Sequence, residues 1–335
     1  MTLPGGVRGG EPVGRTGVVL RDPIAWHQLV QIVSTAEETG YESVFVPEIA
    51  AREAFSTLTG LALSTSNLRV GTGVVAVRSR NPIATAMAAA TVQDVSGGRL
   101  VLGIGAGSPE GRRDGPGPTG LVARYVEVVR RILDGKNVEA DETFGTPPFR
   151  LELPSTHGTP PIWLAALGDR MVGLAGEVGD GVLLNWCTPE RVAGARKLLA
   201  RMAERSGRDP SRLTVAVYVR ACLGLDEDVA LAALKEMAGQ YAASPHYGRQ
   251  FELMGLGEEA ALASKAFQAG RTEEVPEALV RATAVTGGRG AALAGFRAYR
   301  EAGADVVMCY PVAALDPVSS VLGTVLAAAP SPSLG

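Results

Sequence analysis

A chain of 335 residues, 46% of them apolar and 20% charged, is long enough to fold as two average domains or as one large α/β barrel. The net charge of −3 and the 5% of aromatic residues argue against the basic face and the stacking surface that nucleic-acid-binding proteins use. Three cysteines and three histidines are too few and too scattered for a disulfide framework or a metal site, and no stretch approaches the roughly 18 apolar residues of a membrane span. We therefore expect a cytoplasmic protein that binds no metal, no nucleic acid and no membrane.

Short apolar segments alternate with amphipathic segments along the chain. Most of the apolar segments are continuous, as expected for strands that are buried on both faces of a parallel sheet. The predicted strands are residues 16–20, 43–47, 69–76, 100–104, 162–165, 181–184, 213–221 and 305–309. The predicted helices between them include residues 24–39, 83–95, 121–133, 189–206 and 291–301.

Eight strands, each followed by a helix, predict an α/β fold of the (β/α)8 TIM-barrel type. A doubly wound sheet would need fewer strands or a domain break, and no Pro/Ser-rich linker marks such a break. Two segments depart from the alternation. Residues 134–161 predict a surface excursion or hairpin before strand five, and residues 226–284 predict a mostly helical insertion between strands seven and eight. Residues 1–335 are accordingly expected to form a single barrel domain.

The fourth predicted strand ends in three closely spaced glycines, in the segment GIGAG at 103–107. A dinucleotide-binding fingerprint would have its third glycine where Ser108 stands, would follow the first strand and would open a helix, so that fold is disfavoured. Two interpretations remain. The small residues either fit a crowded barrel interior, or Ala106, Gly107 and Ser108 let a flat ring lie against the backbone at the carboxyl end of the barrel.

The segment AALGDRM, at the end of the fifth strand, predicts a phosphate site. A tight turn at its glycine would lead into a helix, and the first N–H groups of that helix would point at an anion. The arginine would add a charge-assisted contact, whereas the aspartate brings a negative charge or simply caps the helix. The residues concerned are Ala166, Leu167, Gly168, Asp169, Arg170 and Met171.

Several segments in register carry a family resemblance. They are GYESVFVPE, NLRVGTGVVAV, GGRLVLGIGAGSP, PPIWLAALGDRMVGLAGEVGDGVLLNW and GADVVMCYPV. Together they resemble the bacterial luciferase-like superfamily and, within it, the branch that uses coenzyme F420, a deazaflavin. The resemblance covers nearly the whole chain and is weakest at residues 1–15 and 109–120. It implies a barrel with an insertion after strand seven, and an oxidoreductase that transfers a hydride between the deazaflavin and a small organic substrate.

The resemblance also implies where the cofactor lies. Its ring would lie across the barrel mouth, with the phosphate tail toward strand five. The branch carries a bulge with a non-proline cis peptide behind the ring, which predicts a cis bond between Gly73 and Val74. Glu48, at the end of strand two, is expected either in a salt bridge at the rim or facing the ring and the substrate. In this family a histidine often follows that acidic residue; here Ile49 follows, so Glu48 remains the one candidate catalytic residue.

Further candidates lie at other strand ends and in the insertion. Arg78 and Arg80, just past strand three, are expected to face solvent rather than an acidic cofactor tail. His246 and Tyr247 either form part of a lid over the mouth or lie on the plain surface, which is the more common position for a lone loop histidine. The predicted substrate-pocket residues are Asn185, Trp186, His246, Tyr247 and Tyr310.

Two other functions remain open. One is an FMN-dependent monooxygenase that uses reduced flavin and O2, and the other is a non-catalytic flavin-binding partner.

Family members commonly form homodimers, and the segments 54–65 and 83–95 are rich in Ala, Thr, Leu and Met. Because small-residue faces pack closely against a two-fold copy, these two segments are the predicted homodimer interface.

Overall fold

The computed structural model of this chain describes residues 14–330 except residue 22 and residues 108–116. The strands are β1 (Arg15–Val19), β2 (Ser43–Val46), β3 (Arg69–Thr72), β4 (Val75–Ala76), β5 (Leu100–Gly105), β6 (Ile162–Ala166), β7 (Gly181–Asn185), β8 (Thr214–Leu223), β9 (Ala284–Gly287) and β10 (Val306–Pro311). All the pairings between these strands are parallel, and β10 pairs with both β8 and β1, which closes the sheet. The predicted (β/α)8 barrel is confirmed.

Helices surround the barrel. They are α1 (Trp26–Glu38), α2 (Ala54–Leu63), α3 (Pro82–Val95), α4 (Pro118–Leu133), α5 (Asp169–Val178), α6 (Pro189–Arg205), α7 (Glu227–Ala242), α8 (Pro245–Leu253), α9 (Gly257–Gln268), α10 (Glu277–Thr283), α11 (Arg289–Glu301) and α12 (Pro317–Ala327). The helices predicted from the sequence are all present. The segment 134–161 contains two antiparallel bridges, Val138 with Phe149 and Asp141 with Thr146, as expected of a hairpin.

Alternate residues of each strand point into the barrel, because side chains along a strand have a period of two. In β8, for example, Ala216 and Tyr218 belong to the interior, and Val215, Val217 and Val219 pack outward against the helices. The interior is filled by large side chains from several strands. These are Val19, Phe45, Val101, Trp163, Leu183, Tyr218, Val306, Met308 and Tyr310.

The third barrel strand is interrupted, whereas the sequence predicted one strand over 69–76. The apolar pattern continues through the break, but Gly73 and Val74 separate β3 from β4, and the peptide bond between them is cis as predicted. β3 pairs with β5 up to Gly71, and β4 resumes the pairing at Val75. The main chain of β5 therefore lacks a strand partner opposite the break.

The side chain of Thr72 replaces that missing partner. Its hydroxyl accepts a hydrogen bond from the N–H of Gly103 and donates one to the carbonyl oxygen of Gly103, each at 2.7 Å. A Cβ atom at Gly103 would overlap the carbonyl oxygen of Thr72. The glycine therefore allows the close approach that the hydroxyl contact requires.

The segment between β8 and β10 contains the predicted helical insertion, as α7 to α10. It also contains β9, which was not predicted as a strand. The first residue of β9, Ala284, is the last residue of the predicted insertion. β8 extends beyond its pairing with β7, which ends at Tyr218, and its upper part from Arg220 to Leu223 pairs with β9 instead. The pairing of β9 with β8 thereby holds the insertion next to the point at which β7 ends.

Among the described helices, none is long and apolar enough to cross a membrane. Within the same residues, no group of three or more His, Cys, Asp and Glu side chains is arranged to hold a metal ion. The cytoplasmic location stays a prediction.

Candidate functional site

The carboxyl ends of the parallel strands form one end of the barrel, which is where barrel enzymes bind their ligands. Helix α8 of the insertion contacts this end at β7. The side-chain amide of Gln250 donates to the carbonyl oxygens of Asn185 and Trp186, and the amide of Asn185 donates to the hydroxyl of Tyr247 at 2.7 Å. The end of the barrel therefore has a side where α8 lies against the end of β7, and a second side formed by the ends of β2 to β6.

On that second side, β5 ends in residues without large side chains. A Cβ atom at Gly105 would lie 2.7 Å from a methyl group of Val74, so Gly105 makes room for that side chain. Ala106 is half-buried, and Gly107 is exposed with a φ of +76°, a conformation that favours glycine. Crowding thus accounts for Gly103 and Gly105 and contributes at Gly107, where a Cβ atom would lie 2.9 Å from the Cβ of Ala76. Ala106 and Gly107 still leave backbone accessible, since the first is half-buried and the second exposed. Ser108 lies outside the described residues.

The adjacent strand, β6, leads into α5 through Leu167 and Gly168. Gly168 is the N-cap residue. Among the described residues, no side chain caps the helix and no atom lies within 4 Å of where a Cβ atom of Gly168 would be. The prediction of a free N–H at Met171 is wrong, because this group donates to the carbonyl oxygen of Gly168 at 3.1 Å. The first N–H groups of α5, those of Asp169 and Arg170, remain for an anion because they precede any intrahelical partner.

The carboxylate of Asp169 does not cap α5. It forms an ion pair with Arg191 at 2.7 Å, and Arg191 also donates to the carbonyl oxygen of Leu167 at 3.1 Å. Because Asp169 is balanced by this cation, it does not oppose an anion at the helix N-terminus as an unpaired carboxylate would. Arg170 is exposed, and Ala166 is buried at the end of β6.

Glu48 lies in a salt bridge at the rim of the barrel. Its carboxylate accepts from Arg80 at 2.7 Å and from the N–H of Ala54 at 3.1 Å, and Arg80 also pairs with Glu53 at 2.9 Å. The expectation that Arg80 faces solvent is wrong, because this pair of carboxylates and the ring of Phe55 surround it. An open depression of about 530 Å³ lies beside these charges.

On the side where α8 lies, the guanidinium of Arg220 is buried at the carboxyl end of the barrel interior. Arg220 is fully buried, and its Nη1 donates to the side-chain oxygen of Asn185. The faces of Trp186, Tyr241 and Tyr310 lie 4.7, 5.0 and 3.9 Å from its central carbon. Such cation–π contacts partly compensate the cost of burying the charge.

Two tyrosines beside Arg220 keep their protons over the whole physiological range. Burial, followed by the neighbouring Tyr310, raises the pKa of Tyr218 well above its ordinary value. Burial and Tyr241 likewise raise the pKa of Tyr247. Both hydroxyls are therefore hydrogen-bond donors, and that of Tyr218 has no partner among the described residues.

The structure brings together four of the five predicted substrate-pocket residues around Arg220: Asn185, Trp186, Tyr247 and Tyr310. His246 is exposed on α8. Sequence reasoning missed Arg220 itself, although a signal existed, since it is the one charged residue in the apolar strand TVAVYVRACL. It also missed Gln250, which lies on α8 three residues after the predicted lid residue Tyr247, and Arg191, which comes from α6, a helix that no motif connects to the barrel mouth.

Comparison with known proteins decides the family. The family model described as luciferase-like monooxygenase matches residues 6–306. The chain belongs to the luciferase-like family. A 5,10-methylenetetrahydromethanopterin reductase of Methanolobus tindarius is 34% identical to this luciferase-like chain over 220 residues, which are 63% of the chain and 65% of the relative. The chain therefore spans slightly less than two thirds of that relative's length.

A second relative is aligned over more of its length. A putative coenzyme F420-dependent oxidoreductase of Mycobacterium tuberculosis is 29% identical over 291 residues, which are 77% of the luciferase-like chain and 83% of the relative. Among solved structures, the coenzyme F420-dependent tetrahydromethanopterin reductase from Methanopyrus kandleri superposes with a TM-score of 0.79 at 23% identity, over 94% of this chain and 98% of the other. At that identity the likeness shows the fold, and the family resemblance expected from the sequence is confirmed.

Proposed function

We propose that the chain is a coenzyme F420-dependent oxidoreductase that acts on a small organic substrate. Relatives named as F420-dependent enzymes support the proposal. The structural observation that carries it is the juxtaposition of two features on neighbouring strands: the small residues that end β5, and the uncapped N-terminus of α5 after β6. The first suits the face of a flat ring, and the second suits a phosphate.

The residues of the chain fit the two ends of a deazaflavin cofactor. Val74, Ala106 and Gly107 would contact the ring, since they present little side chain beyond the methyl groups of Val74. Gly168 leaves space in front of the N–H groups of Asp169 and Arg170, which would bind the phosphate. When bound, the deazaflavin supplies the two-electron hydride chemistry, and the protein supplies position and electrostatics.

The charged groups around this side of the barrel have positioning roles in the proposal. The Arg191–Asp169 pair holds the turn from Leu167 to α5 in place, so that the phosphate-binding N–H groups are fixed. Glu48 is held by Arg80 and the N–H of Ala54, so its carboxylate is oriented and its negative charge is balanced. Because both oxygens of a carboxylate accept hydrogen bonds, Glu48 can still accept one from a ligand.

Binding of two cofactors separates the proposed function from its alternatives. We expect the purified protein to bind F420 at least about tenfold more tightly than FMN, measured by fluorescence titration of each cofactor. Tight FMN binding without F420 binding would favour the luciferase-like monooxygenase that the family description names. F420 binding without turnover of any ketone, imine or alcohol substrate would favour a non-catalytic binding partner.

We also propose that the chain forms a homodimer through α2 and α3. Both helices carry large apolar side chains on their exposed faces: Leu63 is 73% exposed, Met87 48% and Val95 38%. Light scattering at micromolar concentration should give about twice the chain mass of 34.7 kDa. The double variant Leu63→Glu with Met87→Glu should give a single-chain mass, and a single-chain mass for the unmodified protein would contradict the proposal.

A further inference from the structure

Arg220 is a buried cation that has no anionic partner among the described residues. No carboxylate among the described residues forms an ion pair with it, and Asn185 is a neutral hydrogen-bond acceptor. Burying an unpaired charge costs several kcal/mol as an order of magnitude. The aromatic faces of Trp186, Tyr241 and Tyr310 offset part of that cost, but a nearby anion would offset much more.

The unpartnered atoms of Arg220 have a particular arrangement. Its Nε and Nη2 are both buried without a hydrogen-bond partner among the described residues, while Nη1 is used by Asn185. Nε and Nη2 lie on one edge of the guanidinium and point two N–H groups in parallel. This edge matches the two oxygens of a carboxylate, which accept such a pair of hydrogen bonds at once.

The surroundings add donors and apolar walls. The indole Nε1 of Trp186 and the hydroxyl of Tyr218 are also buried and unpartnered in the described part of the chain. The Tyr218 hydroxyl stands directly against Gly73, where a Cβ atom would overlap it. The donor cluster thus reaches the side of the barrel where the cofactor ring is proposed, while aromatic rings enclose the rest of it.

We propose that Arg220 binds the carboxylate of the substrate, which is therefore a small carboxylic acid with a flat apolar body. This inference rests on the proposed function and names its substrate class. The Nε/Nη2 edge receives the carboxylate, and the rings of Trp186, Tyr241 and Tyr310 contact the apolar part. Helix α8 lies beside this site, where the hydroxyl of Tyr247 accepts from Asn185 and Gln250 donates to the carbonyl oxygen of Trp186.

Calorimetric titration of the cofactor-free protein with benzoate and benzamide tests the inference. The two probes have nearly the same shape, but only benzoate carries the anion. We expect benzoate to bind at least about tenfold more tightly than benzamide. Arg220→Lys, which keeps a charge but loses the paired donors, should weaken benzoate binding at least about tenfold. The matched change Arg249→Lys, on the exposed face of α8, should leave it unchanged.

A second variant covers the case in which Arg220→Lys does not fold. Asn185→Asp places a carboxylate on Nη1 of Arg220, so the guanidinium gains an internal anion and benzoate binding should weaken while the fold is kept. Equal binding of benzoate and benzamide, undiminished benzoate binding in Asn185→Asp or in folded Arg220→Lys, or no benzoate binding up to about 10 mM would overturn the inference.

The same titration, repeated with the cofactor present, identifies the owner of the carboxylate. If the substrate owns it, benzoate binds to the F420-saturated protein as well as to the free protein. Displacement of benzoate by F420 would show that an acidic group of the cofactor occupies the site and would overturn the inference. Since the first titration uses no cofactor, its failure leaves the F420 proposal intact, and failure of F420 binding leaves the benzoate result intact.

Discussion

Replacing Gly168 by valine is expected to weaken F420 binding by about 100-fold or more, while the free energy of unfolding falls by only about 1 kcal/mol. The Cβ of the new residue would meet no atom of the described residues within 4 Å, and the φ of −102° suits a branched residue. The valine methyl groups would instead fill the space in front of the Asp169 and Arg170 N–H groups. Losing two hydrogen bonds to a phosphate, at about 1.5–3 kcal/mol each, gives the expected change in affinity.

A matched variant separates binding from folding. Gly288 is the N-cap of α11. In the part of the chain that the structure describes, it also has no side-chain cap and no atom within 4 Å of the position of a Cβ atom. Valine at either position should cost about 1 kcal/mol of unfolding free energy, because valine is a poor N-cap residue. Gly288→Val should nevertheless bind F420 as the unmodified protein does. Unchanged F420 affinity in Gly168→Val would remove α5 from the proposed phosphate site.

The alternation of apolar and amphipathic segments was sufficient to predict the barrel, because most strands are buried on both faces. Continuous apolar segments such as LVLGIG in β5, separated by helical segments, indicate buried strands of a parallel sheet. The break between β3 and β4 could not be predicted from periodicity, since VGTGVVAV stays apolar through it. The family resemblance did predict a bulge at Gly73 and Val74, but that Thr72 replaces the missing partner of β5 depends on the register between the strands.

The candidate site divides in the same way. Gly168 and Glu48 were predictable because each stands at a strand end within a motif. Arg191 was not, because it reaches Asp169 from a different helix. Arg220 is an intermediate case. Its charge inside an apolar strand indicates a special role, and its two-residue spacing from Tyr218 places it inside the barrel. The aromatic side chains around it, however, come from the residue after β7, from α7 and from β10.

Replacing Thr72 by valine is expected to lower the free energy of unfolding by about 2–6 kcal/mol. Valine has nearly the shape of threonine but cannot exchange hydrogen bonds with the main chain of Gly103. Both Thr72 and Gly103 are buried, so the N–H and the carbonyl oxygen of Gly103 would each be left unsatisfied. Each such group costs about 1–3 kcal/mol. Urea unfolding followed by circular dichroism measures the change.

Thr72→Ser provides the control, because it keeps the hydroxyl and removes only a methyl group. Its cost should be about 1 kcal/mol, the value for one buried methyl group, and therefore well below that of valine. Equal stability of the serine and valine variants would mean that the hydroxyl does not replace the missing strand partner of β5. Because Val74 and Val75 follow directly on this contact, the valine variant should also loosen the backbone beside the proposed cofactor ring and weaken F420 binding, whereas the serine variant should not.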